Sequence, residues 1–300
     1  MFELLAIHWN VNPVLVHIGS LEIRWYSLLF ISGFILGWYI FRWFFRREGI
    51  SEKLLDPLLY TLLICTIVGA RLGHCLFYQP DYYLAPFIDM FGGKVSPEIA
   101  EHGLTNWQAF WEMFMPWKGG LASHGGTIAL VLGMIWFSKH YGPKFKFDFM
   151  WMADHLCIAI AFAACFIRLG NLFNSEIYGD VTSLPWGVIF DRRQETLPKH
   201  PTQLYEALAY LLLGLFLIWR YKHRLGSTFK GFFFGAFFLG CFGMRFLIEF
   251  IKEPQVEFET GMIEKAGLNM GQWLSVPFII AGVLILIYSY RKKTPATIVK

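Results

Sequence analysis

Charge is scarce in this chain. Only 16% of its 300 residues are Asp, Glu, Lys or Arg, while 56% are hydrophobic, and the mean hydropathy is +0.46. That balance excludes disorder and argues against an ordinary soluble domain. The first twenty residues, MFELLAIHWNVNPVLVHIGS, lack a basic start and contain Asn, Pro and His, so no cleavable signal peptide is expected. Metal-type cysteine spacing is lacking too. Cys65, Cys75, Cys157, Cys165 and Cys241 all lie inside apolar runs and read as buried free thiols. No internal repeat is evident, which weakens an inverted-repeat transporter reading. A net charge of +4 is too small to suggest nucleic-acid binding.

What the chain does have is long apolar runs. Seven reach the ~20 residues a bilayer requires, at 25–45, 55–78, 121–138, 149–168, 203–219, 231–251 and 272–290. The expected fold is therefore an all-α integral membrane protein of seven transmembrane helices, a single polytopic domain over 1–300. Fifteen of the 26 basic residues fall in the links after spans one, three, five and seven. By the positive-inside rule the N-terminus then lies outside and the C-terminus in the cytoplasm. The longer links 79–120, 169–202 and 252–271 face outward. The second is expected to form a small extracytoplasmic cap and the first an arm.

Against that background a few embedded polar residues stand out. A cation in hydrocarbon costs several kcal/mol unless it is paired or faces a wet cavity, so it marks a functional site by default. Arg71, His74 and Tyr78 share one face near the outer end of span two, with Gly69 and Gly73 spaced for close helix approach. His124 sits among Gly119, Gly120, Gly125 and Gly126 at the start of span three. Arg168 ends span four, and Arg245 and Glu249 lie one turn apart in span six. The topology gives all of these one depth, in the outer leaflet. Plainer readings exist for each. Arg24, Trp25 and Tyr26 fit an interfacial belt, Arg168 is placed to snorkel, and Arg245 with Glu249 fits a structural ion pair. A lone histidine near a helix start is more often a satisfied polar residue than a base. Their coincidence at one depth favours a site for an anion, and the commonest anion in a bilayer is a lipid phosphate.

The segment Arg168-Leu-Gly-Asn-Leu-Phe-Asn-Ser-Glu-Ile-Tyr-Gly179 reads as a polar loop lining a cavity beyond span four, because Gly170, Asn171 and Asn174 oppose continuation of the helix. It also resembles the signature of the prolipoprotein diacylglyceryl transferases, G-R-x-G-N-[FY]-x-N-x-E-x-x-G, with Ile167 at the first glycine. The resemblance extends to Arg24-Trp25-Tyr26, Gly69-Ala-Arg71-Leu-Gly73, Gly119 through Gly126 around His124, His200-Pro-Thr-Gln-Leu-Tyr-Glu206, and Arg245-Phe-Leu-Ile-Glu249-Phe250. Seven spans with the N-terminus outside also match that family. One departure is Cys241 where the family pattern has tyrosine, so a hydroxyl there is absent or supplied elsewhere, for example by Tyr26 or Tyr78.

The resemblance implies transfer of the diacylglyceryl group of phosphatidylglycerol to the lipobox cysteine of preprolipoprotein signal peptides, with release of glycerol 1-phosphate. It implies a multi-pass protein of the cell inner membrane with its active site towards the periplasmic face. The implied catalytic residues are His124 as the base, Arg168 and Arg245 on the phosphate, and Glu249, which with Glu176 orients the arginines. Tyr26, Arg71, Asn171, Glu176, Gly179, His200 and Glu206 join Arg168 as the implied phosphatidylglycerol-binding set. No metal or other cofactor is required. An anionic-lipid or small-anion transporter is the alternative, but it needs a polar path onward to the cytoplasmic side, and that half reads as almost wholly apolar. A receptor-like seven-span protein has no need of the ordered segment Arg168 to Gly179.

Overall fold

The computed structural model describes residues 7–19, 21–254 and 267–296. The expected outward link 252–271 therefore falls largely outside the described residues. Among the described residues, seven long helices follow the apolar runs: α1 (Trp25–Arg47), α2 (Leu55–Phe77), α3 (Ser123–Phe145), α4 (Phe149–Phe173), α5 (Thr202–Arg224), α6 (Phe232–Ile248) and α7 (Met270–Lys292). Together with short extensions, six of them are long and apolar enough to cross a membrane: all but α3. Helix α3 has 23 residues, or ~34 Å at 1.5 Å per residue. Its apolar stretch is shortened by His124 and Thr127 at one end and by Lys139 and His140 at the other.

The chain divides into two compact units, residues 52–149 and residues 1–51 with 150–300. In the first, α3 lies against α2 through glycine. A Cβ on Gly69 would come within 2.6 Å of the Gly125 carbonyl oxygen, and one on Gly73 within 2.6 Å of Gly125 Cα. The G-x-x-x-G spacing thus serves backbone-to-backbone approach. The 79–120 link is an arm of short helices over a core of Cys75, Tyr82, Tyr83, Ala85, Ile99, Ala109 and Met113. Its helix at Asn106–Glu112 starts at a capping box of Thr105 and Gln108. Glu112 accepts the Tyr82 hydroxyl at 3.0 Å and pairs with Lys118. Burial and the Glu112 carboxylate push the Tyr82 phenol up to about 12.

In the second unit a strand β1 (Ile7–His8) pairs in parallel with β4 (Val188–Ile189), and a hairpin joins β2 (Val14–Ile18) to β3 (Leu21–Arg24), which runs directly into α1. Trp9 donates its indole N–H to the Leu172 carbonyl at 3.0 Å, tying the N-terminal segment to the end of α4. Helix α6 packs on α7 where Gly235 meets Gly282.

Two expectations need correction. First, α4 does not end at Arg168; it continues through Gly170 and Asn171 to Phe173. A single helical glycine costs only about 1 kcal/mol, and Asn171 is buried with its amide occupied, so tertiary contacts outweigh the local preference. The loop begins at Asn174, and Ser175 and Ile177 adopt positive φ there. Second, the half expected to face the cytoplasm is not wholly apolar. Glu48, beyond α1, accepts hydrogen bonds from Trp151 at 2.9 Å and Tyr221 at 2.8 Å, and pairs with His155 at 2.6 Å. One turn away the buried Asp154 accepts the Gly231 N–H at 2.6 Å and the Phe234 N–H at 2.8 Å. It caps α6 from another helix, satisfying donors that the helix start leaves unpaired.

Candidate active site

The second unit gathers most of the singled-out charges. Arg168, on the last turns of α4, has a side chain only 14% exposed, and its Nε lies 2.9 Å from Glu206 Oε2. Its Nη1 donates to Asn171 Oδ1 at 3.2 Å. Asn171 in turn donates to Glu176 Oε1 at 2.7 Å, and Asn174 reaches the same oxygen at 3.1 Å. Glu176 therefore acts on Arg168 only through Asn171, and Glu206 is the carboxylate that touches the guanidinium. Two side chains of α5 hold the loop onto that helix. Gln203 donates to the Glu176 carbonyl at 2.7 Å and Thr202 to the Ile177 carbonyl at 2.8 Å.

The cluster continues through a residue that sequence reasoning passed over. Lys252 Nζ lies 3.2 Å from Glu206 Oε1 and 3.0 Å from Glu249 Oε1. Arg245 Nε faces the same Glu249 oxygen at 3.6 Å, and Asn269 donates to Glu249 Oε2 at 3.2 Å. Arg168, Glu206, Lys252, Glu249 and Arg245 thus form one chain of alternating charge. Arg245 is the most open of the five, 34% exposed. The signal for Lys252 was its position three residues after Glu249, although its own backbone is extended, just past the helical turn Glu249–Ile251. Tyr210, buried on α5, lies beside both Arg168 and Cys241. It supplies a hydroxyl beside the position where Cys241 stands.

Tyr26 packs on α4 at Gly170, where a side chain would meet its ring at 2.7 Å. Gly179 is needed for space: a Cβ there would press on the Ile251 carbonyl, on Thr202 and on His200. Backbone pairing fixes this stretch, with the Gly179 N–H donating to the His200 carbonyl at 2.8 Å and that of Asp180 to the Ile251 carbonyl at 3.0 Å. Among the described residues, the His200 ring pairs with the Tyr205 hydroxyl at 3.2 Å and not with the charged chain. Above it, Lys199 Nζ lies 2.8 Å from Glu253 and 3.5 Å from Glu195. Burial lowers the affinity of the ammonium for its proton, but the two carboxylates more than reverse this and hold Lys199 above its ordinary value.

Arg71 and His124 belong to the other unit. Arg71 is buried, and all three of its nitrogens donate to backbone carbonyls: Nε to Met113 at 3.2 Å, Nη2 to Glu112 at 2.6 Å, and Nη1 to Gly119 and Gly120. It pins the base of the arm. Gly120, with φ of +67°, leaves room for Arg71 and His74. His124 is the second residue of α3; it is exposed and makes no hydrogen bond among the described residues.

Comparison with known proteins follows the same pattern. The sequence model of the prolipoprotein diacylglyceryl transferase family matches residues 13–288. A Tolumonas auensis protein named phosphatidylglycerol–prolipoprotein diacylglyceryl transferase is 41% identical over 96% of this chain and 99% of its own length. Proteins of the same name from Bacteroides fragilis and Porphyromonas gingivalis are each 40% identical, over 97% and 95% of this chain and 98% and 95% of their own.

Proposed function

The chain belongs to the prolipoprotein diacylglyceryl transferase family, and from that premise we propose that the charged chain from Arg168 to Arg245 is where it handles the lipid phosphate. The overall reaction is diacylglyceryl transfer from phosphatidylglycerol to prolipoprotein, carried out by a membrane-embedded transferase. The transporter alternative is not favoured, since the curated relatives carry the transferase name.

The acceptor is the thiol of the lipobox cysteine. The thiol gives its proton to His124, and the thiolate attacks the diacylglycerol carbon bonded to the phosphate oxygen. A C–S bond forms as that C–O bond breaks, the electron pair stays on oxygen, and glycerol 1-phosphate departs. Negative charge therefore grows on the phosphate, where Arg168 and Arg245 offer planar, permanently charged donors in a low-dielectric site. Glu206 and Glu249 hold the two guanidiniums, with Asn171 and Glu176 behind Arg168. Tyr26 and Asn171 position the headgroup glycerol, and Gly179 and His200 shape the loop over it. His124, exposed and without a hydrogen-bond partner among the described residues, is available to take the proton. We place the site at the periplasmic face of the inner membrane, with seven spans, 169–202 as the head and 79–120 as the arm. Arg71 supports the arm through its carbonyl contacts.

The observation that carries this reading is the pair of arginines joined through Glu206, Lys252 and Glu249. The test is purified protein with phosphatidylglycerol and a lipobox peptide. A hydroxylamine-stable thioether should form, with one glycerol 1-phosphate released per peptide. An acyl chain bound to the peptide without glycerol, and released by neutral hydroxylamine, would mean acyl transfer and overturn the reading.

A further inference from the structure

We propose that Lys252 is a positioning residue which sets the charged chain at one net positive charge, matching it to a monoanionic phosphodiester. The proposal rests on the reading of this cluster as the phosphate site and adds to it a source of headgroup selectivity.

Three cations, Arg168, Lys252 and Arg245, are in direct ion contact with two carboxylates, Glu206 and Glu249, while Glu176 reaches Arg168 only through Asn171. The Lys252 side chain is 4% exposed and that of Glu206 is fully buried, so the middle of the chain is poorly screened and the surplus is carried to its open end at Arg245, 34% exposed. A buried uncompensated charge costs several kcal/mol, and an anion of charge minus one removes it. A phosphodiester carries one negative charge at any ordinary pH. A phosphate monoester, the product, carries between one and two near neutrality, which overcharges the cluster and favours release. A zwitterionic headgroup adds a cation and relieves nothing.

The geometry shows how the surplus is kept usable. Lys252 occupies Oε1 of both carboxylates, while Arg168 contacts Glu206 through Oε2. Arg245 approaches Glu249 only to 3.6 Å and makes no hydrogen bond among the described residues. Without the ammonium, two guanidiniums would face two carboxylates. Each arginine would then be drawn fully onto its partner, and the net charge that attracts the lipid would vanish. Lys252 itself is placed by its backbone. It bridges to Gly179, and the neighbouring Ile251 carbonyl accepts the Asp180 N–H. The loop therefore does not depend on the ammonium for its position.

The test is equilibrium binding of labelled phosphatidylglycerol to the purified full chain in detergent, with single-turnover transfer measured alongside. Lys252→Arg should stay within a few-fold of the parent in both. Lys252→Met should weaken binding about 10- to 100-fold. Adding Glu249→Gln to Lys252→Met returns the net charge to plus one and should recover most of the lost affinity, whatever it does to turnover. A purely structural lysine gives no such recovery. On the unmodified chain, phosphatidylethanol should compete within about tenfold of phosphatidylglycerol, and phosphatidylethanolamine should not. That arm tests the charge matching itself even if a variant does not purify, and the Lys252 variants assign it to the lysine. Parent-like binding by Lys252→Met, a double variant no better than Lys252→Met, or effective competition by phosphatidylethanolamine overturns the proposal. If Arg168 and Arg245 variants also bind and transfer normally, the phosphate-site reading itself falls. If only the Lys252 variants are silent, that reading stands and the charge-matching idea alone is lost.

Discussion

Asp154 offers a direct measure of what a buried charge does for this fold. Its carboxylate is fully buried and accepts the N–H groups of Gly231 and Phe234 at 2.6 and 2.8 Å. Asp154→Ala leaves both donors unsatisfied at the start of α6. An orphaned buried donor costs about 1–3 kcal/mol, removal of a side-chain cap about 0.5–2, and loss of an anion at the helix N-terminus about 0.3–1. These overlap, so the total is about 2–4 kcal/mol. At ~2–4 °C per kcal/mol for a large domain, the unfolding midpoint should fall by about 4–16 °C. Asp154→Asn keeps one acceptor and most of the shape and should lose about half as much. Asp154→Leu fills the space without an acceptor and should resemble Asp154→Ala, separating hydrogen bonding from cavity formation. Scanning fluorimetry of detergent-purified protein at one heating rate compares the three. A midpoint for Asp154→Ala within ~1 °C of the parent would refute the reasoning, as would Asp154→Leu behaving like the parent.

Other predictions concern the site and its orientation. If His124 takes the thiol proton, His124→Gln should bind phosphatidylglycerol normally but lose about 10²–10⁴-fold in transfer near neutrality. Raising the pH should partly restore the rate, because a free thiol titrates near ~8.5; equal defects at pH 7 and pH 9 would remove the base role. A cysteine placed in 222–228 should be shielded from an impermeant thiol reagent in intact cells and one in 185–195 labelled, and the reverse pattern would overturn the periplasmic assignment. Lys199 is held above its ordinary value of 10.5 by Glu253 and Glu195, burial notwithstanding. Its contribution is thus fully present below pH ~10.5 and lost as pH rises through its folded value. The midpoint difference between the parent and Lys199→Met should stay constant from pH 7 to about pH 10 and shrink above it; a difference that shrinks at lower pH would contradict the assignment.

Much of this architecture was legible because apolar runs of bilayer length and stray charges are both one-dimensional signals. The helices follow the runs, and the Gly69–Gly73 spacing found its partner in Gly125. Arg168, Arg245 and Glu249 were visible as charges out of place. What escaped was which polar residues turn inward at helix ends. Glu48 follows Arg46 and Arg47 in the link after span one, where nothing local marks it, yet it receives Trp151, His155 and Tyr221. Lys252 opens the expected outward link 252–271, three residues past Glu249, and its ion pair with Glu206 is a tertiary contact. Tyr210 sits in an apolar helix and nothing local marks it. Pairings such as Arg168 with Glu206 span 38 positions and depend on tertiary placement that no local pattern encodes. The continuation of α4 to Phe173 has the same origin, since Asn171 is stabilised by Glu176 and Arg168 rather than by its own helical preference.

The most direct test of the account is single-turnover transfer by Arg168→Lys and Arg245→Ala, with lipid donor and peptide acceptor both saturating. Lysine keeps the charge at 168 but not the fork that meets Glu206, Asn171 and the phosphate together. Losing one oxyanion-type donor costs about 3–4 kcal/mol of transition-state stabilisation, or about 10²–10³ in rate. Both variants should therefore fold, yet transfer at least a hundredfold more slowly than the parent. Turnover within a few-fold of the parent by either well-folded variant would contradict the assignment of that arginine to the phosphate.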